Sequence, residues 1–337
     1  MTRISVVTPF YNEQDNLPLL RERLTQVLTD LVGMDYEVVL VDDHSTDRSA
    51  EIAREWAQED SRVQYIRFSR NFGSHAALSA GLCHCTGDCA AAIAADLQDP
   101  PETIPTLLEE WRAGSDVVWA VRSARKGESQ LTQMAAGIYY WLMRKLALPN
   151  MPSRGADFLL LDRKVINAYR KHPEKNTTIL GLVLWMGFRQ SSVQYVKAAR
   201  NAGVSKWTLA KKLKLLTDSI VTFSYAPIRA ASYCGILMAI SGCIYALVVV
   251  VGRFTGWVTP GTGFAALMTA LLIGQGMILA MLGILGEYVW RAFDESRGRP
   301  AYIVEEHIVE KHIVDKHIAG TLDTADGNTH KSLSDVR

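Results

Sequence analysis

Acidic and amide side chains in the N-terminal half of the chain stand directly after short apolar runs. They form three groups: Asn12 with Glu13, Asp42 with Asp43, and Asp96 with Asp99. Such oxygens can bind sugar or ribose hydroxyls, a nucleobase, or a divalent cation that carries a diphosphate. Any one group could be a helix cap, because Asp and Asn are routine before helices. Three groups at one edge of a sheet would instead favour a site for a polar ligand.

The apolar runs predict an α/β fold that brings these groups together. Strands are predicted over residues 4–8, 37–41, 63–68, 90–95 and 116–121. Helical spacing of apolar residues predicts helices over 17–31 and 46–60, the first ended by Gly33. Strands that alternate with helices indicate a mostly parallel sheet with helices on both faces. Ligands of such sheets bind beyond the carboxyl ends of the strands.

Two common classes of ligand are disfavoured. No Gly-x-Gly-x-x-Gly and no Gly-Lys-Ser/Thr loop follows a predicted strand, which argues against a dinucleotide oxidoreductase and a P-loop enzyme. The 36 basic and 35 acidic residues give a net charge of +1, so no nucleic-acid partner is expected.

Two uncharged segments near the C-terminus predict membrane spans. Residues 232–252 and 263–286 contain no charged side chain. Each is long enough to cross a hydrocarbon core of about 30 Å as a helix. The short connector contains Gly256, Pro260 and Gly261, so the two spans are expected to form a hairpin. The mean hydropathy near zero is then an average over a soluble part and a membrane part.

The distribution of basic residues predicts the orientation of the hairpin. Seven basic residues lie within 196–231 and three within 291–299, whereas the connector has only Arg253. Both termini are therefore expected in the cytoplasm, with the chain in the inner membrane. Apolar residues on one face of 206–228 predict an amphipathic helix in the membrane interface, with a core-facing helix as the alternative.

Several motifs, taken together, resemble a known family. They are residues 5–13 (SVVTPFYNE), 41–47 (VDDHSTD), 69–73 (SRNFG), 96–102 (DLQDPPE), 155–158 (GADF), 203–207 (GVSKW) and 286–288 (GEY). This set is similar to inverting family-2 glycosyltransferases with a GT-A fold. The closer similarity is to the membrane-attached polyprenyl-phosphate glycosyltransferases, which include dolichol-phosphate mannose synthase-like enzymes. It covers residues 4–304.

The resemblance implies a reaction in which polyprenyl phosphate, undecaprenyl phosphate in bacteria, attacks a nucleotide-sugar with inversion. A UDP-linked donor is expected, and the lipid-linked product would serve envelope glycans or lipid modification. By resemblance, Asp157 and Asp96 take the catalytic positions. The donor-binding positions are Pro9, Tyr11, Glu13, Asp42, Asp43, Asp96 and Gln98. The basic region near the acceptor phosphate comprises Arg122, Arg125, Arg200, Ser205 and Lys206.

One departure from the family pattern concerns the metal. The usual acidic triplet is Asp-x-Asp, whereas here Ala94 replaces the first acid. We expect Mg²⁺ or Mn²⁺ at Asp96 and Gln98, completed by the phosphates of the donor. A different donor, or loss of activity, are the alternatives.

Two other functional classes are alternatives to this interpretation. A catalytically impaired protein that binds nucleotide-sugar is motivated by Ala94. A processive polysaccharide synthase is the other alternative, although neither further spans nor a Gln-x-x-Arg-Trp motif is present. Glucose, mannose, a deoxyamino sugar and aminoarabinose all fit the motifs.

The predicted division of the chain has five parts. They are a cytoplasmic catalytic domain (1–205), the interfacial helix (206–228), the hairpin (229–290), a cytoplasmic extension (291–319) and a disordered tail (320–337). The extension carries a five-residue repeat from His307, interpreted as a surface or subunit-contact segment, with a metal-binding tract as the alternative. We expect a homo-oligomer, with a tetramer as the candidate assembly. The cysteine cluster at 83–89 lacks the spacing of a zinc site.

Overall fold

The computed structural model describes residues 1–122, 158–171, 178–197, 221–222, 224–257, 263–309 and 312–313, with short pieces between 134 and 151. Several predicted features lie outside these residues: Arg125, Asp157, Arg200, Ser205, Lys206, the tail beyond 313 and all but the end of the interfacial segment.

A nine-stranded mixed sheet forms the centre of the described part of the chain. In chain order its strands are β1 Thr2–Phe10, β2 Met34–Asp42, β3 Val63–Phe68, β4 Cys89–Ala92, β5 Val117–Arg122, β6 Phe158–Asp162, β7 Gln190–Tyr195, β8 Val304–Val309 and β9 His312–Ile313. Their spatial order is β7-β5-β6-β4-β1-β2-β3-β8-β9. Strands β6 and β8 run opposite to the other seven strands, so the strands that carry the predicted site end at one edge.

Helices cover both faces of this sheet, as predicted. The helices are α1 Leu17–Thr29, α2 Ser49–Glu59, α3 Ser74–His84, α4 Ile104–Arg112, α5 Arg163–Lys171, α6 Ile179–Trp185, α7 Ala226–Phe254 and α8 Phe264–Ser296. One apolar core joins α1, α2 and α4 to one face of the sheet. A second core joins α3, α5 and α6 to the other face.

The continuous apolar runs of β1 and β2 are explained by these two cores. Val6 and Val38 are paired and face the first core, while Val7 and Val39 face the second. Strands buried on both faces show no alternation of polar and apolar residues. Helix α3 lies so close to β1 that a Cβ on Gly81 would clash with Val7, which explains a glycine inside a helix.

The five predicted strands are all present, and β3 has the predicted bounds. Strand β4 was predicted to continue to residue 95, which is wrong. It ends at Ala92, since the chain leaves the sheet there and reaches a left-handed conformation at Leu97. Gly33 has a φ of +79° in the turn after α1, which itself ends at Thr29.

The two apolar segments form α7 and α8. Both are long and apolar enough to cross a membrane, and the most apolar stretch of each has no residue buried inside the protein. Helix α8 extends ten residues beyond the predicted end at 286. This extension carries charged side chains among apolar ones: Arg291 bonds Glu287 at 2.8 Å, and the Tyr288 hydroxyl donates to the carbonyl of Ser224 at 2.8 Å.

The predicted division of the chain places residues 304–309 in the C-terminal extension, where no strand was predicted and where the structure has β8. Residues of β8 pair antiparallel with β3, so this part of the extension belongs to the sheet of the catalytic domain. The five-residue repeat folds back on itself, with Ile308 opposite Ile313 in the β8–β9 pair. The five-residue period fits neither a single helix face nor a single strand face. The structure places residues of its first two units in two neighbouring strands.

Candidate active site

Three loops follow β1, β2 and β4 at the carboxyl edge of the sheet, and each contains a residue in the left-handed region. Asn12, His44 and Leu97 have φ values of +55°, +62° and +59°. No other non-glycine residue in the described ranges has a positive φ. Strained backbone of this kind is typical of functional sites, where the surrounding structure must hold it in place.

The first two loops are bonded to each other through Asn12. Its backbone N–H donates to Ser45 Oγ at 3.0 Å, and its side-chain oxygen accepts from the Thr46 N–H at 2.8 Å. The Glu13 N–H donates to Ser49 Oγ at 2.8 Å, while its carboxylate accepts from Asn16 Nδ2 at 2.7 Å. The two loops therefore form one continuous wall.

Asp42, the last residue of β2, and Asp43, the next residue, both contribute to this wall. Asp42 is fully buried and accepts hydrogen bonds from the Ser45 N–H at 2.7 Å and the Tyr65 hydroxyl at 3.1 Å. Asp43 accepts from the N–H groups of Phe72 and Gly73 at 2.6 and 2.9 Å. Burial raises the pKa of Asp43, and these two amides oppose the rise. Both carboxylates thus hold loops in place.

Pro9 and Tyr11 flank the end of β1 and are half-buried. Pro9 is paired with Val41 in the register of β1 and β2. Of the predicted donor residues, Pro9, Tyr11, Glu13, Asp42, Asp43, Asp96 and Gln98 therefore all lie on loops or strand ends at this edge of the sheet.

The third loop contains the predicted metal ligands. Asp96 and Gln98 are half-buried, and Asp96 Oδ1 accepts from the Gln98 N–H at 3.2 Å. Asp99 is buried and accepts a short hydrogen bond from the Tyr195 hydroxyl at the end of β7. Burial and the neighbouring Asp99 charge raise the pKa of Tyr195. Asp99 therefore anchors the loop, and Asp96 and Gln98 are its more accessible members.

Arg122 is the one predicted acceptor residue within the described ranges. It ends β5 and is paired in register with Tyr195, with which it shares a side-chain hydrogen bond. Its guanidinium therefore lies at the same edge of the sheet as the third loop. Its role toward an acceptor phosphate stays a prediction.

The two predicted metal ligands, Asp96 and Gln98, suit a cation site shared with the substrate better than one formed by the protein alone. No group of three or more His, Cys, Asp or Glu residues that could hold a metal occurs in the part of the chain that the structure describes. Asp96 supplies one carboxylate and Gln98 one amide oxygen, both hard ligands. Mg²⁺ commonly binds through one or two carboxylates together with substrate phosphates, which matches this set.

The sequence matches the Glycosyl transferase family 2 model over residues 5–170, a span that contains all three loops. An uncharacterized glycosyltransferase of Bacillus subtilis (YkcC) is 42% identical over 90% of this chain and 93% of its own length. The chain belongs to glycosyltransferase family 2. The protein is accordingly a glycosyltransferase, and the three loops are the candidate active site of this family-2 enzyme.

Two further likenesses are more distant. The bactoprenol glucosyl transferase of Shigella phage SfV is 35% identical over 90% of this chain and 98% of its own length. Glucosyl-3-phosphoglycerate synthase from Mycobacterium tuberculosis, solved with Mn²⁺, UDP-glucose and phosphoglyceric acid, superposes with a TM-score of 0.49. That superposition covers 66% of this chain and 78% of the other at 19% identity. The family assignment rests on the sequence relatives.

Sequence reasoning missed three residues that shape the site of this glycosyltransferase: Tyr65, Arg67 and Tyr195. Tyr65 and Arg67 lie in the predicted strand 63–68, whereas Tyr195 lies in β7, which was not predicted. A charged residue at the end of the buried run of β3 was the available signal for Arg67, because buried arginines are rare unless paired. No local signal identifies Tyr195, whose partner Asp99 is 96 residues away in sequence.

Proposed function

We propose that this glycosyltransferase moves a sugar from a UDP-linked donor to polyprenyl phosphate, with inversion at the anomeric carbon. The observation that carries the proposal is the extent of the likeness to the bactoprenol glucosyl transferase, which covers 90% of this chain. That span is long enough to include both the strand-end loops and the two apolar helices. An enzyme with a lipid acceptor needs both parts in one chain.

The reaction has a simple balance of bonds. A phosphate oxygen of the acceptor attacks the anomeric carbon, and the bond from that carbon to the diphosphate of the donor breaks. The nucleoside diphosphate leaves with the bonding electrons. Since the acceptor phosphate is already ionised at neutral pH, a strong general base is less necessary than for a sugar hydroxyl. The enzyme must mainly position two anions and stabilise the leaving group.

The described residues can divide these tasks. The wall formed by Asn12 and Ser45 holds the nucleotide, with Asp42 and Asp43 fixing the loops behind it. A divalent cation held by Asp96, Gln98 and the donor phosphates would supply positive charge to the departing diphosphate. Arg122 offers a guanidinium to the incoming phosphate at the same edge. Asp157, Arg125, Arg200, Ser205 and Lys206 complete the proposed set in the sequence.

The proposed location is the cytoplasmic membrane, with α7 and α8 as a hairpin and both termini in the cytoplasm. The excess of basic residues on both sides of the hairpin supports this orientation. The polar contacts of Tyr288 with Ser224 and of Arg291 with Thr222 support a membrane–water interface at the level of these residues. A homo-oligomer assembled through hairpins is part of the same proposal.

A second candidate is a nucleotide-sugar-binding protein without turnover. The observation that favours it is Ala94, which leaves Asp96 as the single acid of the usual triplet. Restoring the acid with Ala94→Asp separates the two candidates. A silent wild type that gains turnover supports the second candidate, and an active wild type rejects it.

The full chain in lipid nanodiscs, given undecaprenyl phosphate and labelled UDP-sugars, tests the proposal. UDP-glucose is the first donor to use, because the named relative is a glucosyl transferase. We expect a lipid-extractable labelled product that requires Mg²⁺ or Mn²⁺ and is abolished by EDTA. The absence of product with UDP-glucose, UDP-N-acetylglucosamine, GDP-mannose and UDP-aminoarabinose would contradict it.

A further inference from the structure

The strand that follows the membrane hairpin reaches the donor side of the active site. Seven residues separate the end of α8 from the start of β8. Strand β8 pairs with β3, and Arg67 of β3 is opposite Glu306, next to an irregularity in the register. Because β3 is also paired with β2, β8 lies one strand away from the Asp42 loop.

Arg67 connects this strand to the loop. Its guanidinium is 3.2 Å from Asp42 Oδ2 and 3.3 Å from the carbonyl oxygen of Ser45. On its other side, Arg67 Nε is 3.4 Å from Glu305 Oε2. The Asp42 side chain is fully buried and that of Arg67 is 19% exposed, so this pair is held largely away from solvent. One guanidinium thus contacts both ends of the Asp42–Ser45 turn and the strand from the hairpin.

Glu305 faces the same turn at a second point. Its Oε2 lies 3.8 Å from Nδ1 of His44, the residue with a φ of +62°. The same His44 nitrogen is 2.9 Å from the carbonyl oxygen of Phe68. The His44 N–H therefore donates to this carbonyl, and at 3.8 Å Glu305 makes no hydrogen bond with His44. The turn is held by Asn12 on the side of β1, and by Arg67 and the His44–Phe68 bond on the side of β3. Glu305 is connected to the turn through Arg67.

The next residue of the strand provides a natural comparison. Glu306 forms a bidentate pair with Arg54 of α2, at 2.9 and 2.8 Å. This pair attaches β8 to α2, and among the described residues no hydrogen bond or ion pair joins either partner to the Asp42–Ser45 turn. Two neighbouring glutamates of one strand thus differ in whether their partner touches the turn.

We propose that Arg67 is a positioning residue for the donor nucleotide, and that Glu305, on the strand from the membrane hairpin, holds Arg67 in its place. The proposal rests on the proposed function, since it assigns the donor to the wall that contains the Asp42–Ser45 turn. It makes the segment after the hairpin a structural part of the donor site. A merely structural strand would not distinguish Glu305 from Glu306.

Steady-state kinetics of the full chain in nanodiscs, with UDP-glucose and undecaprenyl phosphate, test the proposal through four variants. Arg67→Lys keeps the charge but loses the planar fork, and should raise the donor KM about fivefold. Glu305→Gln should raise it about threefold, a size suited to a half-exposed ion pair. The double variant should match Arg67→Lys alone, because Glu305 acts through Arg67. Glu306→Gln, the matched control, should leave the donor KM unchanged.

The acceptor KM and kcat should be unchanged in all four variants. Equal effects of Glu305→Gln and Glu306→Gln, additive effects in the double variant, or a fall in kcat at constant donor KM would each overturn the proposal. If the wild type forms no product with any donor, the proposed function fails, and amide hydrogen exchange then decides this inference. Residues 44–47 should exchange about threefold faster in Glu305→Gln than in wild type or Glu306→Gln. Equal exchange would overturn it.

Discussion

The side-chain oxygen of Asn12 accepts a hydrogen bond from the Thr46 N–H at 2.8 Å and so joins the loop after β1 to the loop after β2. The Asn12 amide nitrogen donates to Thr46 Oγ1 at 3.1 Å, which makes the contact reciprocal. The two residues are 34 positions apart in sequence. The wall proposed to hold the donor therefore depends on a pairing between loops.

Substitution of Asn12 should weaken donor binding for this reason. Asn12→Ala and Asn12→Gly both remove the side-chain bonds, and both should raise the donor KM about tenfold, as expected for lost polar contacts. Only alanine also strains the left-handed backbone at this position, at a cost of about 1 kcal/mol relative to glycine. Steady-state kinetics and thermal unfolding of both variants check this. An unchanged donor KM would show that the loop pairing is not needed.

The metal proposal depends on Asp96. Asp96→Asn keeps the size of the side chain but removes its charge, and should lower kcat about a hundredfold, as for loss of a main electrostatic contact to a leaving group. The concentration of Mg²⁺ that gives half-maximal rate should rise as well. Asp30→Asn is the charge-matched control, because Asp30 is exposed and directly follows the last residue of α1. Equal rates for Asp96→Asn and Asp30→Asn would contradict a metal role for Asp96.

The buried bond between Tyr195 and Asp99 should contribute to stability. Tyr195→Phe removes a hydroxyl that a buried carboxylate uses, and should cost about 1–3 kcal/mol of unfolding free energy. Tyr36→Phe is the matched control, since the buried Tyr36 hydroxyl has no hydrogen-bond partner among the described residues. That substitution should be neutral or stabilising. Thermal unfolding in nanodiscs measures both, and equal losses would contradict the contribution assigned to the Tyr195 bond.

Stability should fall in mild acid because of His307. Burial lowers its pKa to about 4, and nearby His84, whose ring is 4.9 Å away, adds to the effect. The unfolded chain therefore binds a proton near pH 6.5 that the folded chain refuses, so stability is lost as the pH drops from about 6.5 toward 4. In His307→Phe, the loss between pH 7 and pH 5 should be smaller by about 2 kcal/mol. Identical pH profiles would contradict this account.

The parts of the fold that local pattern predicted are those with local causes. The buried run of β3 and the apolar spacing of α1 are set by neighbours a few residues away. The predicted bounds of β3 and the predicted start of α1 are confirmed, although α1 ends two residues before the predicted end. Strand β8 was not predicted, because its partners are remote: Arg54 and Glu306 are 252 residues apart. Its sequence, VEEHIV, becomes interpretable only beside β3.

The candidate site likewise combines features that the sequence predicted with features that depend on remote residues. Motif resemblance identified the loops that carry Glu13, Asp42 and Asp96, and the structure brings these loops to one edge. It did not predict that Asp42 is fully buried or that Asp43 bonds two backbone amides. Those facts depend on Arg67 and on the loop at 72–73, which reach the aspartates through tertiary packing.

The identity of the product tests the central claim most directly. The full chain, incubated with UDP-glucose, undecaprenyl phosphate and Mg²⁺, should yield one lipid whose mass is that of undecaprenyl phosphate plus one hexose residue. Because UDP-glucose is an α-glycoside, inversion requires a β-linked glucosyl phosphate, which the anomeric proton coupling in NMR identifies. Undecaprenol, which lacks the phosphate, should give no product. An α-linked product, transfer to undecaprenol, or release of free glucose alone would contradict the account.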